Sequence, residues 1–164
     1  MKIAVLSDIH DNIWNLKKVL KRVKKEKYQA IIFCGDFCAP FSAVMLAESE
    51  LPVYAVLGNS YDAFNTLRVT GNFKNFNLFS EMGEIELDKK KIALCHYPKL
   101  AEGLAFKGEY DAVFYGHNHE VSSELVNKTL LANPGEVMAK YGKCTFGLYD
   151  TKTSQFQIIE LQVP

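Results

Sequence analysis

The chain has no surplus of charge: 19 Lys and Arg balance 19 Asp and Glu over 164 residues. That excludes a global electrostatic pull toward nucleic acid or an anionic membrane. Arginine is especially scarce, with only Arg22 and Arg68, so no guanidinium cluster stands ready to clamp a phosphate dianion. No stretch approaches the roughly 18 consecutive apolar residues of a membrane span. The opening apolar run Ile3-Ala4-Val5-Leu6 ends at Ser7-Asp8, too soon for a signal peptide. A cytoplasmic protein with no membrane partner and no nucleic-acid partner is expected. Cys34, Cys38, Cys95 and Cys144 show no paired C-x-x-C spacing, which excludes a zinc ribbon, and the reducing compartment expected for the chain disfavours disulfides. Cys34 and Cys95 lie inside apolar runs and read as small buried hydrophobes. Cys38 stands where a thiol could approach a site.

What is present is an ordinary globular composition, 48% hydrophobic and 23% charged, enough for one domain over residues 1–164 with a substantial core. Residues 2–6, 30–34 and 52–57 are continuously apolar strands. Asn12 can cap a first helix whose buried stripe is Ile13, Leu16, Leu20 and Val23, recurring at helical spacing. Its many lysines read as a solvated face. Pro40 opens a second helix running to about Ser49, in the first-turn position proline tolerates. Strands of this kind alternating with helices signal a parallel sheet covered on both faces.

Beyond them, residues 61–69 read as a helix and 71–80 as irregular loop, with Phe73, Phe76 and Phe79 burying one side of it. A hairpin follows over residues 83–87 and 91–95, then a short helix at 100–106 and a strand at 112–115. Short strands at 121–126 and 129–132 precede a terminal hairpin of 144–149 and 156–163. A β/α first half and a mainly antiparallel second half predict an α/β four-layer αββα sandwich: two packed mixed sheets with flanking helices.

The chemistry sits at the strand ends. Asp8-Ile9-His10, Gly35-Asp36, Gly58-Asn59, His96 and Gly116-His117-Asn118-His119 each follow an apolar run. Loops at carboxyl ends of strands are where α/β sheets collect ligand sites. Asp8 and His10, like His117 and His119, are two apart, and in extended backbone both members of a pair point one way. Two carboxylates, one amide and four imidazoles suffice for two divalent cations. Asp36 is the candidate to bridge them, as a carboxylate can join metals about 3.5–4 Å apart. With a bridging hydroxide, formal counting leaves such a cluster at about +1, which suits an anionic phosphate oxygen.

These ordered motifs resemble the calcineurin-like metallophosphoesterase family. Leu6-Ser7-Asp8-Ile9-His10-Asp11-Asn12 and Asn133-Pro134-Gly135 resemble its small YfcE-like phosphodiesterase branch. The resemblance implies a dinuclear site, with Asp8, His10, Asp36 and His119 holding one metal and Asp36, Asn59, His96 and His117 the other. Asp36, Asn59 and His96 would act catalytically through the cluster, and Asn12 is a candidate for substrate contact or support. Mixed imidazole and carboxylate ligands suit Mn2+, or another borderline first-row ion such as Ni2+, Fe2+, Co2+ or Zn2+, better than Mg2+, and Mn2+ is the expected ion.

Three departures from the family pattern stand out. Ser60 follows Asn59 where many larger members have a histidine, an acid is displaced to Asp62, and Asp11 follows the first motif where Gly is frequent. Hydrolysis of small-molecule phosphodiesters by a metal-bridging hydroxide is therefore expected, favouring acidic leaving groups. The alternatives are a phosphomonoesterase or nucleotidase on the same site, or a silent protein-interaction scaffold of the same fold, as a retromer subunit of similar architecture is. A homo-oligomer fits the sequence equally.

Overall fold

Side chains of strand β1 (Lys2–Leu6) alternate between two different cores, and this alternation sets the layering. Ala4 and Leu6 face outward, with Ile31 and Phe33 of β2 (Ala30–Phe33) and Val53 and Ala55 of β3 (Val53–Val56). They pack under helices α1 (Ile13–Lys25) and α2 (Pro40–Ala47), through Leu16, Val19, Ala43 and Leu46. Ile3, Val5 and Ile32 face the other way, onto Ile92, Leu94 and Phe114 of a second sheet. Burying each such aliphatic side chain contributes roughly 1.5–3 kcal/mol, so strands apolar on both faces are held from both sides.

The computed structural model describes residues 1–162. Helix α3 (Ala63–Thr70) leads to strand β4 (Phe76–Phe79), then β5 (Met82–Leu87) and β6 (Lys90–Cys95) form a hairpin. Helix α4 (Pro98–Lys107), β7 (Ala112–Phe114), β8 (Val121–Val126) and β9 (Thr129–Pro134) follow. The described chain ends with β10 (Cys144–Asp150) and β11 (Gln155–Leu161). One sheet runs β11-β10-β1-β2-β3-β4 and the other β5-β6-β7-β9-β8. Both are mixed: β1 to β4 are parallel while β10 and β11 are antiparallel, and β6, β7 and β9 are parallel while β5 and β8 are antiparallel. Helix α4 covers the outer face of the second sheet, Ala101 and Leu104 packing on Ala93, Cys95 and Val113. This is the expected αββα sandwich.

Two expectations change. Residues 71–80 are not all loop, since Phe76–Phe79 adds an edge strand parallel to β3, with Val53 opposite Phe76. The three-residue phenylalanine spacing concealed it: Phe76 and Phe73 pack in the outer core, Phe79 between the sheets. In α1 the buried stripe is Asn15, Leu16, Val19 and Val23, with Ile13 and Leu20 at its half-buried margins. Asn15 is admitted because its amide donates to the carbonyls of Val137 and Met138 at 3.0 and 3.2 Å. The last strand ends at Leu161; Val163, placed in it from the sequence, lies outside the described residues.

Candidate metal centre

Beyond their last residues, the parallel strands hand hydrogen bonds from loop to loop. Asp8 N–H donates to Gly35 O at 3.0 Å, His10 N–H to Asp36 O at 3.1 Å, and Asp36 N–H to Leu57 O at 3.0 Å. In the second sheet Gly116 N–H donates to His96 O at 3.1 Å. Two glycines make the approach of the tips possible. Gly35 has φ +103°, and a Cβ there would stand 2.7 Å from His96 Nδ1. At Gly116 a Cβ would collide with the Ser7 hydroxyl and come within 2.7 Å of Asp8 Oδ2.

All seven candidate ligands meet at this edge, though not by extended backbone. Asp8, His10, Asp36, His117 and His119 have φ of 52°, 43°, 69°, 77° and 61°. Left-handed backbone is costly for residues with a Cβ and persists only where the surroundings enforce it. Asp8 and His10 still converge, but His117 and His119 are aimed apart. His117 turns toward Asn59 and His96, while His119 turns toward Asp8.

The facing atoms fall into two groups. Asp8 Oδ1 lies 3.7 Å from His10 Nε2 and 3.4 Å from His119 Nε2, and His10 Nε2 lies 3.3 Å from Asp36 Oδ2. In the other group Asn59 Oδ1 lies 2.8 Å from His96 Nε2 and 2.9 Å from His117 Nδ1, with Asp36 Oδ1 3.3 Å from His96 Nε2. Asp36 therefore offers one oxygen to each group. Ligand atoms about 2.0–2.2 Å from one cation stand roughly 2.9–3.5 Å apart, close to the spacing seen here.

The proton arrangement tests whether a cation fits. His96 Nδ1 lies 2.7 Å from the Cys34 carbonyl, which only accepts, so this nitrogen carries the proton and Nε2 can present a lone pair to two oxygens. His119 Nδ1 is likewise committed to Glu136 Oε2 at 2.8 Å. Asp8 Oδ1 and His10 Nε2 are buried with no hydrogen-bond partner. Lone pairs facing lone pairs, and buried polar atoms without partners, are costly unless a positive charge lies between them. The residues fit divalent cations.

Titration behaviour points the same way. Burial would raise Asp36, but the His96 imidazole and the N–H groups of Ser60 and Asn59 outweigh it and hold the carboxyl below its usual range. Those N–H groups lie 2.8 and 2.7 Å from Oδ1. The Asp8 carboxylate, aided by Asp36, outweighs burial and raises the His10 imidazole. Burial opposes protonation of His96 as well, and Asp36 again prevails. A field that favours a proton on these rings also favours a cation among them.

Several neighbours take definite roles. Asn12 caps α1, its Oδ1 accepting from Asn15 N–H at 3.1 Å, while its Nδ2 donates to Met138 O at 2.9 Å. Asp11 binds the Ala39 N–H and the Ser42 hydroxyl, tying down the start of α2. Asp62 caps α3 through Asn65 N–H. Cys38 Sγ approaches His10 Nδ1 to 3.4 Å. Glu136 was not singled out in the sequence. Buried just past β9, it also accepts from Tyr141 and Gly142 N–H, and His119 with these N–H groups outweighs burial to keep it ionised. Its only signal was an acid directly following Asn133-Pro134-Gly135. Tyr97 packs edge-on to His96 and His117, and Tyr141 to His119. A shallow cavity of about 230 Å³ opens beside Asn59 and His96, lined also by Tyr61, Glu81 and Tyr97.

Comparison with known proteins agrees with this fold. The calcineurin-like phosphoesterase superfamily domain matches residues 1–154. The phosphodiesterase MJ0936 of Methanocaldococcus jannaschii is 30% identical over 166 residues, covering 99% of this chain and all of the relative. Among solved structures, an archaeal phosphodiesterase superposes with a TM-score of 0.90 at 28% identity, covering 98% of this chain and 100% of the other. YfcE, a phosphoesterase from E. coli, shares the fold with a TM-score of 0.70 at 18% identity, covering 99% and 100%. With its sandwich and nearly its full length in agreement, the chain belongs to the calcineurin-like phosphoesterase superfamily.

Proposed function

We propose that this protein hydrolyses small phosphate diesters with two divalent cations, Mn2+ foremost. Asp8, His10, Asp36 and His119 would hold one cation, and Asp36, Asn59, His96 and His117 the other. The observation that carries the reading is the Asp36 carboxylate, which turns one oxygen to each group. When bound, the cations supply a nucleophile from water near neutral pH and positive charge for the phosphoryl oxygens. The chain's own residues do the positioning. Cys34 O and Glu136 fix the protons of His96 and His119 away from the centre. Backbone N–H groups of Asn59 and Ser60 hold the Asp36 carboxylate so that one oxygen faces each group, the pose in which it would serve both cations.

Ser60 offers no imidazole to protonate a leaving oxygen, so acidic alcohols should leave fastest. The arginines lie on α1 and α3, away from the ligands in sequence, so a dianionic monoester finds no guanidinium clamp and a monoanionic diester is favoured. Four unpaired cysteines suit a reducing cytoplasm.

The test is a parallel assay of an aryl diester and an aryl monoester on metal-free protein reloaded with single cations. The diester should be hydrolysed faster, most of all with Mn2+. Asp36→Asn should lose about a hundredfold or more, because both positions depend on it. A faster monoester rate would replace the diester reading with a phosphomonoesterase, and full activity in Asp36→Asn would end the enzyme reading.

A further inference from the structure

Helix α2, Pro-Phe-Ser-Ala-Val-Met-Leu-Ala, is apolar on every side, and such helices are normally buried all round. Ser42, Ala43, Leu46 and Ala47 do face the core, but Phe41 is 69% exposed, with Val44 and Met45 only partly covered. The neighbouring helices extend this strip. Asp11 N–H bonds Phe37 O, and Cys38 N–H bonds Ser60 O, so the chain enters α1, α2 and α3 in step. Three residues after Asp11, Cys38 and Tyr61 stand Trp14, Phe41 and Phe64, each in the first turn of its helix and about equally exposed, at 71%, 69% and 74%. Parallel helices lie about 8–10 Å apart, so these rings form a nearly continuous row.

Further along the same layer, α1 and α2 flank a groove of about 760 Å³. Lys17 and Lys21 share the α1 face of Trp14, and Met45 the α2 face of Phe41, by the three- and four-residue helical repeat. Leu20, Met45 and Leu51 give the groove apolar walls, with Lys17 and Lys21 on the α1 side and Glu48 on the α2 side. Lys21 and Glu48 form no ion pair across it among the described residues.

We propose that this face pairs with a second copy of the chain about a two-fold axis running along the α1–α2 groove. That axis lays the lysine side of each copy over the glutamate side of the other, and Trp14 of each over Phe41 of the other. The perpendicular in-plane axis would set lysine on lysine. An isologous contact must be self-complementary, and this face is so in one orientation only. Exposed aromatics bury roughly 150–250 Å² each, so Trp14, Phe41 and the groove walls supply on the order of 600 Å² per copy, and a pair clears the about 1,000 Å² of a specific interface. The proposal requires no cation and no catalysis.

Sedimentation equilibrium on the full chain tests it. Twice the chain mass is expected. Phe41→Glu should give monomer, Lys21→Glu and Glu48→Lys should each weaken the pair roughly tenfold, and the double reversal should recover most of the loss. Thermal melts followed by circular dichroism check that each variant folds, and the two charge positions are exposed enough that folding is not at stake. A monomer at every concentration, a dimer indifferent to Phe41→Glu, or charge reversals that do not rescue each other would each overturn the proposal. So would a monomer that binds anionic vesicles through this face.

Discussion

His119 has committed its Nδ1 proton to Glu136, and through that bond a buried carboxylate sets both the tautomer and the direction of a ring aimed at Asp8. Partners of ligating histidines typically govern metal affinity by 10–100-fold. Glu136→Gln keeps the shape and removes the charge. Calorimetric titration of the metal-free variant should show one cation weakened by about that factor and the other nearly unaffected, with a cooperative but somewhat lower melt in the absence of metal, since the bonds to Glu136 lose their charge. Identical isotherms for both positions would contradict the assignment. The seven ligand candidates were legible in the sequence because each is a polar, metal-competent residue ending an apolar run. Glu136 was not, because its role depends on a contact with His119 that only the fold creates. The left-handed backbone at Asp8, His10 and His117 was equally hidden, since nothing in a histidine or aspartate announces positive φ.

Secondary elements were legible wherever burial and period agreed. β1, β2 and β3 are apolar on both faces because one face meets helices and the other a second sheet. β4 was missed because Lys74 and Asn75 just before it and Asn77 between its phenylalanines mimic a loop, and only pairing with β3 defines it. At the start of the β6–β7 pair, Lys90 meets Asp111 at 2.9 Å, and Asp111 also accepts from Lys91 N–H. Burial would raise Asp111, but Lys90 and that N–H outweigh it and lower its carboxyl, while Asp111 in turn raises Lys90. The sign follows. Asp111 contributes stability above its unfolded value of about 4, and this is lost as pH falls through its lower folded value. The raised Lys90 contributes fully below its unfolded value of about 10.4, and its share disappears as pH rises past its folded one. In urea melts across pH, Asp111→Asn should flatten the acid limb slightly and leave the neutral plateau only a little lower, as partly exposed pairs contribute little. A steeper acid limb in the variant would reverse the argument.

At the scale of the whole molecule, cation binding and folding are linked. Any ion that binds only the folded chain stabilises it, by about 2.7 kcal/mol at a free concentration a hundred times its Kd. For a chain of this size that corresponds to a rise in Tm of roughly 5–10 °C. Mn2+ added to chelator-stripped protein should produce such a rise, and Asp36→Asn should abolish most of it; an equal rise in the variant would place the ion elsewhere. The layer architecture was readable from the order of strands and helices, but the meeting of the two sheets at a common edge was not, because no local pattern encodes which edges align. Asp8, His10, Asp36 and Asn59 come from loops of the first sheet, and His96, His117 and His119 from loops of the second. Severed between β4 and β5, the polypeptide would leave neither fragment with a complete set of donors. Ion capture by mixed fragments would then report that the two pieces had docked in register, a built-in sensor of assembly independent of turnover.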